Sequence, residues 1–573
     1  MTDKKGGMWR GLTSYGDEDF ALYLRKAFIK AMGYSNDALS RPVIGITNTF
    51  SAYNACHANV PQIVEAVKRG VMLAGGMPME FPTISLHESF AYPTSMYLRN
   101  LMSMDTEEMM RGLPMDACVL IGGCDKTVPA QLMAAASADI PSIQVVTGPM
   151  LSGTHGEERI GACTDCRRFW GEFRAGRIDE EEINEIEGRL VPTVGTCGVM
   201  GTASTMACMA EALGMMLPGG ATIPAVAADR LRHAEASGAR AMKLAEERIR
   251  PSDIITSPAI ANALRVLLAV GGSTNGIIHM AAIAGRLGIR LDLEAFDAIG
   301  SETPVLVDLK PNGDYYMDDL HKAGGMAALF RELKPLLNLD CQTITGRTLG
   351  EEIKALPKAF VQKVVRRMDH PVHSGGGIAF LKGNLAGDGA IIKQSACSEN
   401  LLVHSGRAVV FESLEDLAQR IDDPDLEVTE EDILVLRNAG PKGAPGMPES
   451  GYIPIPKKLA AEGIKDMVRI SDCRMSGTAF GTIVLHSEPE AAVGGPLAFV
   501  KSGDIIILDV PKRQLTLDIT NDEFERRRAV WVPPERLEAD RGYRKLFMDT
   551  VTQANEGVDF NFLVKRPFTA KTP

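Results

Sequence analysis

The sequence predicts an α/β amino-terminal domain with a parallel sheet, followed by a mostly β, barrel-like carboxy-terminal domain. Three observations predict it. A chain of 573 residues is too long for one hydrophobic core, so two or more domains follow. Up to about residue 370, apolar runs end in turns, several of them glycine-rich, and pass into helical periodicity, the alternation that builds parallel sheets. Beyond it, short extended runs recur between Gly-, Pro- and Asp-rich turns. The expected units are 1–370 and 371–573.

In chain order, residues 41–50 read as a buried strand. Residues 59–74 read as a helix with Val60, Ile63, Val64, Val67 and Val71 on one face. Cys56 lies just ahead of that helix, where the positive end of the macrodipole favours a thiolate. Residues 81–86 form a short strand ending at His87-Glu88, and 97–110 a helix whose methionines fill core. The apolar run 117–121 stops at a Gly-Gly turn, Cys124, Asp125 and Lys126 follow at once, and a helical pattern opens at Pro129. Side chains at such a strand end face the ligand crevice of an α/β sheet. A thiolate there suits iron–sulfur clusters or zinc, and a carboxylate suits magnesium.

Residues 142–146 form another strand and 179–190 an acidic amphipathic helix with a solvated face. Residues 191–206 pass from apolar through Gly-rich to helical and put Cys197 in the turn. Residues 233–248 and 254–287 read as helical, the second interrupted at Gly271-Gly272-Ser273. In the second unit the extended runs are 378–381, 390–393, 407–411, 432–437, 467–471, 482–485, 504–509 and 514–519, with a hairpin at 511–513. Two loops differ from the rest: 440–454, carrying Glu449, and 471–481, which sets Ser476 and Thr478 in a glycine-bracketed turn.

Composition excludes several classes. A net charge of −12 without a Lys/Arg block argues against nucleic acid or an anionic membrane as partner. The first residues lack the apolar region of a secretory signal, and no apolar run is long enough to span a bilayer, so a cytoplasmic protein acting on a small molecule is expected. The ten cysteines are too scattered for a disulfide framework. Cys163-Thr-Asp-Cys166 is the sole CxxC and lacks the second pair of a structural zinc site. Cys56, Cys124 and Cys197 share one niche, a turn between an extended segment and a helix, whereas Cys118 and Cys208 read as buried thiols and His279 as a core histidine.

At these residues the chain resembles the dihydroxy-acid and sugar-acid dehydratases, the family that includes 6-phosphogluconate dehydratase. The motifs are NACHANVP, LHES, GGCDKTVPA, GTCGVMGTASTM, GGSTNG, GAPGMPE and SDCRMSGTAFG, in one order across about 40–490, with the tail RGYRKLF…QANEGVDFNFL extending the match. The resemblance implies a site between the two domains, in a homodimer or homotetramer. It implies a [2Fe–2S] cluster on Cys56, Cys124 and Cys197. It further implies Mg2+ on Glu88, Asp125, Glu449 and a carbamylated Lys126, and Ser476 as base with Thr478 beside it. Three thiolates leave one iron of such a cluster an open position, which fits a Lewis acid. The carbamate would supply the oxygen ligand an amine cannot, and a serine base needs nearby positive charge or backbone donors.

The stretch following Glu88 resembles the sugar-acid branch. The dihydroxy-acid dehydratases of branched-chain amino-acid synthesis are the alternative. An iron–sulfur redox or sensor protein is the alternative of another class, and it leaves Glu88, Asp125, Lys126, Glu449 and Ser476 without a task. Two departures from the family pattern, His87 before Glu88 and Cys473 in place of Ala, are expected to shape the pocket without touching a proposed ligand.

Overall fold

In the computed structural model, which describes residues 6–12, 15–534 and 539–571, the least polar runs of the first half form one sheet. Strands β1 (Val43–Asn48), β2 (Met77–Pro82), β3 (Ala117–Gly122) and β4 (Ser142–Val146) pair in the order β2-β1-β3-β4, all parallel. β3 is buried along its whole length, as a strand covered on both faces must be. Helices α1 (Val60–Leu73), α2 (Ser95–Gly112) and α3 (Thr127–Ala138) follow β1, β2 and β3 in turn. The strand order reverses between β1 and β3, and the crevice beyond their carboxyl ends is where such sheets bind ligands. The segments carrying Cys56 and Cys124 leave the sheet there. A parallel bridge between Pro149 and Thr196 continues the edge beyond β4 and brings in the Cys197 turn.

The strand expected at 81–86 begins instead at Met77 and ends at Pro82. β2 is an edge strand, where prolines are tolerated because only one side of the ladder is used. Residues 83–86 leave the sheet, and the Ile84 amide donates to Asp105 Oδ2 at 2.8 Å. Further helices are α4 (Thr164–Arg174), α5 (Glu180–Leu190), α6 (Thr202–Ala212), α7 (Ala228–Glu247), α8 (Ser257–Ala269) and α9 (Asn275–Arg286). The break at 270–274 separates α8 from α9, as the glycines there predict.

The second half closes into a barrel of β5 (Ala379–Gly383), β6 (Ala386–Ile392), β7 (Val403–Phe411), β8 (Ile433–Leu436), β9 (Arg469–Ser471), β10 (Ile483–Glu488), β11 (Ile505–Asp509) and β12 (Gln514–Leu517). The order is β7-β8-β9-β10-β6-β5-β12-β11, closing back on β7. β7 through β10 run parallel to one another, β7 and β10 pair antiparallel with β11 and β6, and β11 and β12 form the hairpin expected at 511–513. Closure leaves no free edge, and Leu381, Ile392, Val410, Val435, Ile470, Val484, Leu508 and Leu515 fill the interior.

Beyond the barrel the chain returns to the first unit. Helix α10 (Gly542–Thr550) and the segment after it pack Phe547, Val551, Val558 and Phe560 against Met96 and Ile278. Arg286 makes a buried two-point ion pair with Asp559, at 2.6 and 3.0 Å, and Arg99 donates to the carbonyls of Gly557 and Val558. Among the described residues no helix is long and apolar enough to cross a membrane.

α1 and α7 approach so closely that neither tolerates a side chain at the contact. A Cβ on Gly70 would stand 1.9 Å from the Glu235 carbonyl oxygen, and one on Gly238 2.3 Å from that of Val67. Gly238→Ala is expected to destabilise the protein by about 1–3 kcal/mol through backbone displacement. Gly188→Ala, in open space on α5, should stabilise by up to about 1 kcal/mol through helix propensity. Urea midpoints of the two variants check both signs.

Candidate active site

Two residues of the Asn54-Ala55-Cys56-His57 turn tie three strand ends together. Asn54 Oδ1 accepts the Cys56 amide at 3.1 Å, while its Nδ2 donates to Ser85 Oγ and to the Leu86 carbonyl at 3.1 and 3.0 Å. His57 Nδ1 lies 2.9 Å from the Thr49 carbonyl, which can only accept, so this nitrogen carries the proton. Nε2 is then free to accept the amides of Gly123 and Cys124 at 2.9 and 3.0 Å. Burial pushes the His57 imidazole down to about 4, only partly offset by the Thr49 carbonyl. Gly123 must lack a side chain, since a Cβ would overlap the Thr147 hydroxyl at 1.7 Å.

These ties bring soft donors together on one side. Cys56 and Cys124 hydrogen-bond each other. The bond from Cys124 outweighs burial, and with His87 it lowers the Cys56 thiol to about 6. His87 also hydrogen-bonds Cys56, against the expectation that it would stand clear of proposed ligands. His87 caps the three-residue 3-10 turn Glu88–Phe90, its ring accepting the Ser89 amide. Cys197 joins from the far edge, held by amide bonds from Thr196 to the Gly148 carbonyl and from Gly195 to the Ala55 carbonyl. Its sulfur is 3.4 Å from Cys163, whose neighbour on the other side is Cys166. The CxxC pair thus belongs to the thiol group, which the sequence reading did not anticipate. Cys118 and Cys208 are fully buried elsewhere, their thiols raised by desolvation.

Hard donors gather on the other side of Cys124. Asp125, one residue on, sits beside the Cys124 sulfur at 3.5 Å. Oxygens of Glu88, Asp125 and Glu449 lie within 4.8 Å of one another. Fully buried Lys126 pairs with Asp125 and reaches Glu88 at 3.4 Å. Arg474, also fully buried, donates to Glu449 at 2.6 Å, to Glu88 at 3.3 Å and to the Thr94 hydroxyl at 2.8 Å. Burial alone would raise the Glu88 carboxyl. Arg474 and Lys126, with the Ser95 and Thr94 hydroxyls, hold it well below the usual range instead. Burial raises Glu449 despite Arg474, and the Glu88 charge adds to that. The sequence reading counted Arg474 among the polar residues around the substrate and did not foresee that it pairs with these carboxylates instead.

Ser476 sits in a loop packed on the first unit. Its Oγ is 2.9 Å from Thr478 Oγ1 and accepts the Thr478 amide at 3.4 Å. Thr164, between the two CxxC cysteines, donates to the Thr478 carbonyl at 3.1 Å. Asn275 donates to the Met475 carbonyl, and Ser273 lies against Gly477, where a Cβ would collide at 2.4 Å. Buried Lys393, lowered to about 7 by desolvation, donates to the Gly477 carbonyl from behind. Of the remaining titratable groups noted in the sequence, His279 is a buried partner of Arg99 at 3.1 Å.

Comparison with known proteins places both halves of the chain. Residues 41–352 match the model of the dihydroxy-acid/6-phosphogluconate dehydratase N-terminal region, and 363–558 that of the C-terminal region. The chain is 46% identical to an L-arabinonate dehydratase of Rhizobium leguminosarum bv. trifolii (strain WSM2304), covering 98% of each chain. It is 46% identical to a 6-deoxy-6-sulfo-D-gluconate dehydratase of Pseudomonas putida, over 92% of this chain and 91% of that one. A dihydroxy-acid dehydratase of Agathobacter rectalis is 40% identical over 93% and 95%.

The His57 bridge carries a pH signature. The ring titrates near 6.5 in the unfolded chain and about 4 in the fold. The unfolded state therefore takes up the proton first. Stability from the neutral ring is complete above 6.5 and is lost as pH falls through 4, by about 3 kcal/mol in total. His57→Gln should flatten the pH dependence of the urea midpoint across that window, and an unchanged slope contradicts the assignment.

Proposed function

Because the chain belongs to the dihydroxy-acid/6-phosphogluconate dehydratase family, we propose that it is a hydro-lyase that converts a 2,3-dihydroxy sugar acid to its 2-keto-3-deoxy acid. A [2Fe–2S] cluster on Cys56, Cys124 and Cys197 and Mg2+ on Glu88, Asp125, Glu449 and carbamylated Lys126 complete the proposed site. The observation that carries this reading is the adjacency of Cys124 and Asp125, one turned to the thiols and the other to the carboxylates. The donor chemistry fits both groups: thiolates suit iron, and clustered carboxylate oxygens suit magnesium. When bound, the iron supplies a Lewis acid for the departing hydroxyl and the magnesium a charge that acidifies the C2 proton.

The protein's own part is to hold, orient and remove a proton. Arg474 is pinned between Glu88, Glu449 and Thr94 and cannot swing to substrate, so it fixes how these carboxylates point. Ser476 takes the C2 proton. The C2–H electrons form the C2–C3 double bond as the C3 hydroxyl leaves, and the resulting enol tautomerises to the ketone. Before that transfer Ser476 Oγ is an alkoxide, and the Thr478 amide and hydroxyl donate to its charge; taking the proton leaves it a neutral hydroxyl. Assembly from two or four copies is part of the same proposal. Tyr53, Phe90 and Tyr92, each more than two-thirds exposed beside His87, offer a second copy an apolar surface.

The sugar-acid branch is favoured by the names and 46% identities of the arabinonate and sulfogluconate enzymes, against 40% for the dihydroxy-acid enzyme. Buried polar groups that a wrong substrate leaves unpaired discriminate strongly between polyhydroxy and apolar acids. Under anaerobic, magnesium-replete conditions, kcat/KM should be higher for five- and six-carbon aldonic acids than for 2,3-dihydroxyisovalerate. The reverse preference would move the enzyme to the branched-chain acids.

Cys56→Ser, Cys124→Ser and Cys197→Ser should each lose iron and visible absorbance, because serine is a poor substitute for a soft ligand. Ser476→Ala should keep both metals yet lose about a hundred- to ten-thousand-fold in turnover, the usual worth of a general base. Lys126→Arg should fail through lost magnesium, since guanidinium cannot form the carbamate. Metal analysis beside single-turnover rates separates these outcomes.

A further inference from the structure

A fourth thiol stands beside the three-cysteine set: Cys163 lies between Cys197 and Cys166. Cys163 Sγ stands 3.4 Å from Cys197 Sγ. A tetrahedral ion with metal–sulfur bonds of about 2.3 Å holds two thiolates about 3.8 Å apart. The Cys163–Cys197 spacing is therefore within a small side-chain adjustment of that of two ligands on one ion.

Cys163 is held at this position by more than chance contact. The Gly198 amide donates to the Ala162 carbonyl at 3.0 Å, which locks the two cysteine-bearing turns side by side. Asp165, 1% exposed, anchors the start of α4 by accepting from the Gly161 amide at 2.8 Å, Tyr316 Oη at 2.8 Å and Lys310 Nζ at 3.0 Å. Gly161 lets the Tyr316 ring close over this corner, since a Cβ there would meet it at 2.6 Å. Thr164 ties the same turn to the loop of Ser476. Cys163 itself is only partly buried.

We propose that Cys163 is a fourth, exchangeable thiolate of the cluster, sharing an iron with Cys197 while Cys56 and Cys124 hold the other. This rests on the iron–sulfur reading above. Without substrate, four cysteines complete the ligand set of an ordinary [2Fe–2S] centre. Substrate displaces Cys163: one iron–sulfur bond breaks as one iron–oxygen bond forms, the released thiolate takes up one proton, and no electron is transferred. The iron is thereby capped between turnovers and opened only when substrate is present.

The test uses full-length protein reconstituted anaerobically with iron and sulfide, as parent, Cys163→Ala, Cys163→Ser, Cys166→Ser and Cys56→Ser. Cys163→Ala should retain the parent's iron content but show a shifted visible spectrum and a shifted EPR signal after reduction. A five-carbon aldonic acid should move the parent spectrum toward that of Cys163→Ala and leave the variant's nearly unchanged. The variant's cluster should bleach severalfold faster in air, and Cys166→Ser should behave as the parent in all three respects. A Cys163→Ala spectrum identical to the parent's, with and without the acid, overturns the proposal while leaving the three-cysteine cluster standing. Parent protein that holds no iron, or Cys56→Ser that holds as much as the parent, overturns the cluster assignment and this inference with it.

Discussion

The site depends on one neutral imidazole. His57 spends its single proton on the Thr49 carbonyl and its lone pair on two amides of the turn after β3. It thereby welds the ends of β1 and β3 at the point where strand order reverses. Were the ring protonated, Nε2 would become a donor facing two other donors. Each buried amide left unmatched costs about 1–3 kcal/mol. The low proton affinity of His57 is thus a condition for the Cys124-Asp125-Lys126 turn to hold its shape, and everything at the cleft is referenced to that turn.

From this fixed point the donors sort by chemistry. Alternation of side chains along the turn sends Cys124 toward Cys56 and Asp125 toward Glu88 and Lys126. The carboxylates come from both halves of the chain, Glu88 and Asp125 from the first and Glu449 from the second, and Arg474 spans them. Their mutual repulsion is relieved by cations that come from two directions. Removing either unit leaves a buried charge without its partner, which is costlier than never having formed the pair. The cleft is in this sense a joint as well as a site.

Much of this was legible in the sequence, and the remainder has identifiable causes. Strand-to-turn-to-helix transitions located Cys56, Cys124 and Cys197 because the pattern is local. All eight barrel strands were visible as extended runs, yet their mixture of parallel and antiparallel pairing depends on contacts far apart in sequence. The end of β2 was misplaced because prolines mask an edge strand. Asn54 and His57 escaped notice as site residues because they bond backbone and react with nothing. The CxxC pair looked isolated because its partner, Cys197, is brought near only by the bridge at Thr196 and the Gly198–Ala162 hydrogen bond.

The return of the chain after the barrel bears on how the protein is made. Arg286 is buried in the first half, and one of its two carboxylate partners, Asp559, is synthesised only after the barrel. Domains generally fold as they leave the ribosome, amino-terminal first. Here the first unit emerges with a buried guanidinium, the backbone-seeking Arg99 and an open apolar seat for Phe547 and Phe560, all awaiting the tail. The first unit thus stays locally unfinished throughout translation of the barrel. Until the segment after the barrel arrives, Arg286 has Glu107 but not Asp559, and the apolar seat of Phe547 and Phe560 stands open.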